Sequence, residues 1–157
     1  MLNRELNRQL QRLTWLFNNV PDAAKETFEL QAHWGRYLCV LVAGFLENAI
    51  TEVYSEFVYR VGSKPLANFI STTVARIQNP NSKRFIETAK SFRVEWGRDL
   101  EAFLSEDGRK EAIDGIMNLR HQIAHGQSAG ITLARVADYL KKSVEVIEFI
   151  ETQCGAK

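Results

Sequence analysis

Cysteine is scarce in this chain of 157 residues, and its two copies, Cys39 and Cys154, stand far apart. Their spacing suits neither a zinc site nor a disulfide framework, so a reducing, cytoplasmic compartment is expected. Excess charge is missing as well. Twenty Lys and Arg stand against 19 Asp and Glu, a formal net charge of +1 that removes the strong electrostatic footprint of a general nucleic-acid binder. Local basic pairs remain at Lys83-Arg84, Arg109-Lys110 and Lys141-Lys142, able to contact phosphates but more often the mark of solvated helix faces. A long hydrophobic run is also lacking. Tyr37 to Leu46 covers only about half of the roughly 20 residues that span a bilayer, and it reads as a buried helix with no membrane role. The opening Met1-Leu2-Asn3-Arg4-Glu5 interleaves polar residues and lacks the apolar core of a secretory signal. No strand alternation, internal repeat or low-complexity tract stands out.

What is present is helical periodicity. Leu2, Leu6, Leu10, Leu13 and Phe17 recur at helical spacing and are followed by Asn18-Asn19-Val20-Pro21 punctuation. Asp22 is placed to cap a second pattern that runs to about Arg60. Its length exceeds a typical globular helix, so a break near Gly35 is expected. Leu66 to Gln78 reads as a third helix with Pro65 near its first turn, closed by Asn79-Pro80-Asn81. Asn81 or Ser82 caps a shorter helix through Lys90, and Phe92 to Trp96 is ambiguous between a turn and irregular chain. Leu100, Phe103 and Leu104 form a cluster before Asp107-Gly108, and a helix follows from about Arg109 to His125. Thr132 caps a last helix whose Val136, Leu140, Val144, Ile147 and Ile150 keep the interval. The fold class expected is all-α, a helical bundle formed as one domain over 1–157, a length able to bury about 70% of its unfolded surface.

The chemistry concentrates in Asn118-Leu119-Arg120-His121-Gln122-Ile123-Ala124-His125-Gly126. Ile113, Ile116, Met117, Arg120 and Ala124 share one helical face, so a guanidinium stands in an apolar stripe. Such a group implies a carboxylate partner, a solvated cleft or a phosphate ligand. His125 lies about 140° further round an ideal helix, and unwinding before a helix stop at Gly126 would swing its imidazole towards Arg120. A histidine in a last turn also serves the helix dipole. Glu47, on the face of Val40, Gly44 and Thr51, is a candidate partner for Arg120, and Asn48 is a second candidate for the same orienting role.

The run Arg-His-x-x-x-His-Gly resembles the R-x4-H signature of HEPN-domain ribonucleases, with Arg120, His121 and His125 in the pattern positions and Ile123-Ala124-His125-Gly126 as its ending. Val40-Leu41-Val42-Ala43-Gly44-Phe45-Leu46-Glu47-Asn48 and Gly130-Ile131-Thr132 are similar to the RiboL-PSP type of HEPN domain over roughly 30–152. The resemblance implies a HEPN-like bundle with additional short helices and a homodimer in which two motifs form one composite site. It further implies RNA as substrate, cleaved without a metal or cofactor by 2′-hydroxyl attack. In that chemistry Arg120 holds the phosphate, His125 moves protons and His121 positions backbone or substrate. A toxin or anti-phage role follows from the same likeness, with an antitoxin or defence-system protein as partner.

Two rival readings remain at this level. A non-catalytic helical module would bind RNA or protein and keep the motif for packing. A metal reading uses His121 and His125 at i and i+4, but Gln122 stands where a metalloprotease carries its general-base Glu, and His33 is the only other histidine. Trp15, Trp34 and Trp96 are expected in the core or at a dimer contact rather than as stacking platforms for bases.

Overall fold

Asn3 begins the first helix by turning its side-chain oxygen to the Leu6 N–H at 2.9 Å, which satisfies one of the orphan donors of a helix start. This computed structural model describes residues 1–127 and 129–155, apart from the side chain of Ala23. Ser128 and the last two positions of the expected 1–157 domain lie outside the described residues. Within them eight helices follow in order: α1 (Arg4–Asn18), α2 (Asp22–Glu26), α3 (Phe28–Val61), α4 (Lys64–Val74), α5 (Ser82–Phe92), α6 (Val94–Leu104), α7 (Arg109–Ala124) and α8 (Leu133–Gln153). No strand occurs among the described residues, and the all-α expectation holds.

The long second pattern breaks at Thr27 instead of Gly35. Thr27 is extended (φ −122°, ψ 140°), and its hydroxyl accepts the Leu30 N–H at 3.3 Å, so it ends α2 and caps the 34-residue α3. Gly35 sits inside α3 for a packing reason. A Cβ there would stand 2.9 Å from the Ile131 carbonyl oxygen, so only a glycine lets the chain before α8 lie this close. Asp22 is the first helical residue, with Pro21 as the cap. The third helix stops at Val74, short of Gln78, where Ile77 and a left-handed Asn79 (φ 48°) turn the chain. The ambiguous Phe92–Trp96 stretch resolves into the end of α5, one extended residue, Arg93, and the start of α6.

α3 is the axis of the bundle. Leu38, Val42, Leu46, Ala49 and Ile50 are each fully buried on it, and residues from α1, α4, α5, α6, α7 and α8 complete one continuous apolar cluster. Its length and apolarity would suffice to cross a membrane, yet 56% of its most apolar window is buried inside the protein, as befits a core helix. Contacts at both ends fix how its neighbours run. Gly35 meets Ile131, the Arg36 Nε donates to the Ala129 carbonyl at 3.4 Å, and the Arg60 guanidinium donates to the Cys154 carbonyl, so α8 is parallel to α3. α7 returns antiparallel to α8, tied by Arg109 to Glu145 at 3.0 Å and by Gly115 packed on the Tyr139 ring. α1 lies antiparallel along α3, with the Asn3 Nδ2 on Glu56 at 2.7 Å and the Asn48 Nδ2 on Gln9 at 3.4 Å.

Two glycines of α3 make opposite predictions. Gly35→Ala forces a methyl onto a backbone oxygen and should destabilise the fold by about 1–3 kcal/mol, the cost of overpacking. A Cβ on Gly44 meets no atom within 4 Å, and Gly44→Ala should stabilise the monomer by about 0.5–1 kcal/mol through helix propensity. Urea denaturation of both variants checks the pair, and equal shifts would contradict the packing.

Candidate functional site

α7 carries the motif to the surface. Ile113, Ile116 and Met117 are buried, Arg120 on the same face is partly buried, and Ala124 is exposed, so the apolar stripe leaves the core one turn before the guanidinium. The helix then stops in a Schellman arrangement. Gly126 is left-handed (φ 66°), its N–H bonds the Ile123 carbonyl at 3.1 Å, and the Gln127 N–H bonds the Gln122 carbonyl at 2.9 Å. This stop leaves α7 regular through Ala124, with the His125 N–H still on the His121 carbonyl at 3.1 Å. The expected unwinding is absent, because the glycine absorbs the whole change of direction. His125 therefore leans on His121, ring centroids 4.4 Å apart and 61° between planes, both rings exposed. Arg120 remains about 140° round the helix from His125.

The two arginines of α7 contrast sharply. Arg109, 12% exposed, reaches Glu145 and Asp107, donates to the Phe103 carbonyl and stacks 4.0 Å over the Phe103 ring. Its donors are used in holding α7 to its neighbours, so this member of the basic pairs is structural. Arg120 makes no ion pair and no hydrogen bond among the described residues. Glu47 does not pair with it. The Glu47 Oε2 accepts the Asn79 N–H at 3.1 Å, and Asn48 bonds Gln9. The reason is helix direction. Cys39 lies beside the Ile116 carbonyl, and α7 runs antiparallel to α3, which sets Arg120 at about the level of Gly35. Glu47, 12 residues further on, is roughly 18 Å away along α3 at 1.5 Å per residue.

At the level of the motif α3 shows an aromatic edge. Trp34 and Tyr37 meet edge to face at 5.6 Å beside His33, and Leu30, Tyr37 and Val40 are 42%, 49% and 40% exposed. Of the other tryptophans, Trp96 packs with Phe57 and Phe92, whereas Trp15 is exposed. No group of three His, Cys, Asp or Glu able to hold a metal occurs among the described residues. Both cysteines are buried, and burial pushes each thiol up to about 12, which removes them as nucleophiles.

Over residues 4–156 the chain matches the family described as RiboL-PSP-HEPN. It belongs to that family. Membership points to an RNase-like or nucleotide-related function. Neither the curated proteins nor the solved structures gave a match.

One polar centre of the HEPN domain escapes sequence reasoning. Asp114 accepts the N–H and the Oγ–H of Ser82, each at 2.8 Å, and Lys110 Nζ at 3.0 Å, tying the start of α5 to α7. The Lys110–Asp114 spacing of i, i+4 is legible, but nothing in the sequence points to Ser82. Burial raises the Asp114 carboxyl, yet the Ser82 N–H, the Lys110 ammonium and the Ser82 hydroxyl outweigh it and hold the pKa below its ordinary value. A depressed carboxyl stabilises the fold above the ordinary carboxylate range and loses that contribution as pH falls through the lowered pKa. Asp114→Asn should therefore cost stability at neutral pH, with the gap to wild type closing on acidification. Urea midpoints at pH 7 and at pH 3 check this, and a gap that is constant with pH would contradict it.

Proposed function

We propose that this HEPN domain is a metal-independent endoribonuclease that works as a homodimer. The observation that carries the reading is Arg120, a partly buried guanidinium with no protein acceptor among the described residues, one position from an exposed histidine pair. A carboxylate partner, the bland explanation for such an arginine, does not occur among the described residues. Its forked donors suit a phosphate.

The reaction is in-line attack by a ribose 2′-hydroxyl on its own 3′-phosphate. The bond from the 2′-oxygen to phosphorus forms and the bond to the 5′-oxygen breaks, giving a 2′,3′-cyclic phosphate and a 5′-hydroxyl end. One His125 takes the 2′-proton, and the partner subunit's His125 delivers a proton to the leaving oxygen. Arg120 binds the phosphoryl oxygens and stabilises the charge that builds on them. His121, in edge contact with His125, positions that ring. DNA lacks the nucleophile, which makes RNA the substrate.

An edge of exposed Leu30 and Tyr37 with half-buried Trp34 and Leu41 recurs at helical spacing, level with the motif but on the side of α3 turned away from Cys39, and suits a contact between two copies of the chain. Self-association is what would supply the second histidine. A role in growth arrest or anti-phage defence, with an antitoxin or defence protein as partner, fits a small nuclease of this family and depends on the same activity.

In chelator, wild type should cleave single-stranded RNA to cyclic-phosphate ends. Arg120→Ala should lower kcat by about 100-fold or more, the usual loss for a donor to a developing charge, and His125→Ala by a similar factor. Activity that survives both changes sinks the mechanism. Cleavage that stops with chelator alone returns the histidines to metal chemistry, and tight RNA binding without cleavage by a homogeneous dimer favours the non-catalytic module. Tyr37→Glu should yield a monomer by light scattering together with loss of cleavage. A wild type that is monomeric and active removes the composite site.

A further inference from the structure

A groove of about 800 Å³ separates α7 from the α5–α6 pair. Lys83 and Lys90 of α5, Arg98 of α6 and Lys110 of α7 line it, with Asn118 at the end nearest the motif. On α7 the lining residues Lys110, Asp114 and Asn118 are followed at helical intervals by His121 and His125. At 100° per residue all five fall within an arc of about 80°. Groove and histidines thus occupy one face, roughly 22 Å long at 1.5 Å per residue. Arg120 lies outside this arc, towards α3.

We propose that this groove is a binding track for the backbone of single-stranded RNA flanking the scissile linkage. The choice of ligand rests on the nuclease reading above. Three features of the groove suit a polyanion that also carries flat apolar groups. First, three of its four cations are loosely held. Lys83–Glu87 and Arg98–Asp99 are 3.8 Å pairs between exposed side chains, contacts of little worth that a phosphate can displace, and Lys90 has no ion pair among the described residues. Second, the acid on the α7 wall is already engaged. Asp114 is taken by Ser82 and Lys110, so its charge is largely satisfied within the protein, and the same bonds lock the start of α5 against α7. Third, Val94, 64% exposed, and the partly buried Ile86 put apolar surface between the cations, where a ribose or base can rest. Glu87 and Glu101 also border the groove and hold its net charge to a small positive value. The track therefore adds a modest, salt-sensitive increment to the grip of the motif, and binding along it is weak when the motif is empty.

The test is binding of a fluorescent 12-nucleotide RNA carrying 2′-O-methyl groups, which lacks the proposed nucleophile and reports affinity whether or not the protein is an enzyme. Lys83→Glu with Arg98→Glu should weaken binding about tenfold at low salt. It should also make the slope of log K against log salt shallower by about 1.4, the value for two phosphate contacts on a single strand. Lys141→Glu, an exposed lysine of α8 away from the groove, should change neither. Equal binding by wild type and the double variant overturns the track. So does equal weakening by the Lys141 change, which would indicate a diffuse field, and so does an absence of binding by wild type. Cleavage of unmodified RNA by wild type is scored separately. A protein that cleaves but is indifferent to the groove loses only the track, and one that binds through the groove but never cleaves loses only the nuclease.

Discussion

The approach of α3 to the segment before α8, set by Gly35 against the Ile131 carbonyl, fixes where everything else in the motif region can lie. With Arg36 on Ala129 beside it, and Arg60 on Cys154 at the far end, the two longest helices are held parallel at both ends. α7 must then run back between its turn at Gly126 and its anchor at Arg109–Glu145. Its C-terminal turn comes out at the Gly35 level of α3, far from Glu47. The position of a guanidinium thus follows from the absence of a methyl group on another helix.

The two halves of α7 divide their charges by use. Arg109 is enclosed by Glu145, Asp107, the Phe103 carbonyl and the Phe103 ring, and removing any one of them leaves others to hold it. Arg120 has no such shell. A partly buried cation without a partner gives up hydration for nothing within the monomer, and the protein tolerates this cost because the side chain leaves the core at the end of the stripe. On the proposed reading the cost becomes useful when a phosphate binds, since donors already stripped of some water and held on a regular helix need little reorganisation to bind it.

Much of this was legible in the sequence. The periodicities of α1, α7 and α8 carry over nearly residue by residue, as do the caps at Thr132 and Gly126, because each depends on contacts a few residues apart. What was not legible depended on contacts between distant segments. Gly35 is identical in sequence terms to a helix breaker, and only the nearness of Ile131 makes it a packing residue. Glu47 and Arg120 share apolar faces on helices that do pack, but the direction of packing puts them at opposite levels, and no local pattern encodes that direction. Phe92 to Trp96 stayed ambiguous because a single extended residue, Arg93, separates two helices whose apolar positions otherwise run on. The Ser82–Asp114 link is of the same kind, local at neither end.

The regularity of α7 bears on the chemistry more than any single contact. Had the last turn unwound, one chain could have gathered Arg120 and His125 about a single phosphate. With the helix intact the two side chains diverge by about 140°. Among the described residues His125 has only His121 as a ring neighbour, and two adjacent imidazoles on one face cannot stand on opposite sides of a phosphorus undergoing in-line displacement. Attack and departure need proton carriers about 180° apart across the phosphorus, and that arrangement demands a group from outside the helix. Among the described residues the only further histidine is His33 on the exposed edge of α3. On the proposed reading, a second copy of the motif from a partner subunit meets the requirement with residues the chain already has. If the proposed cleavage is what the motif does, the regular helix favours a site shared between subunits over one completed within a single chain.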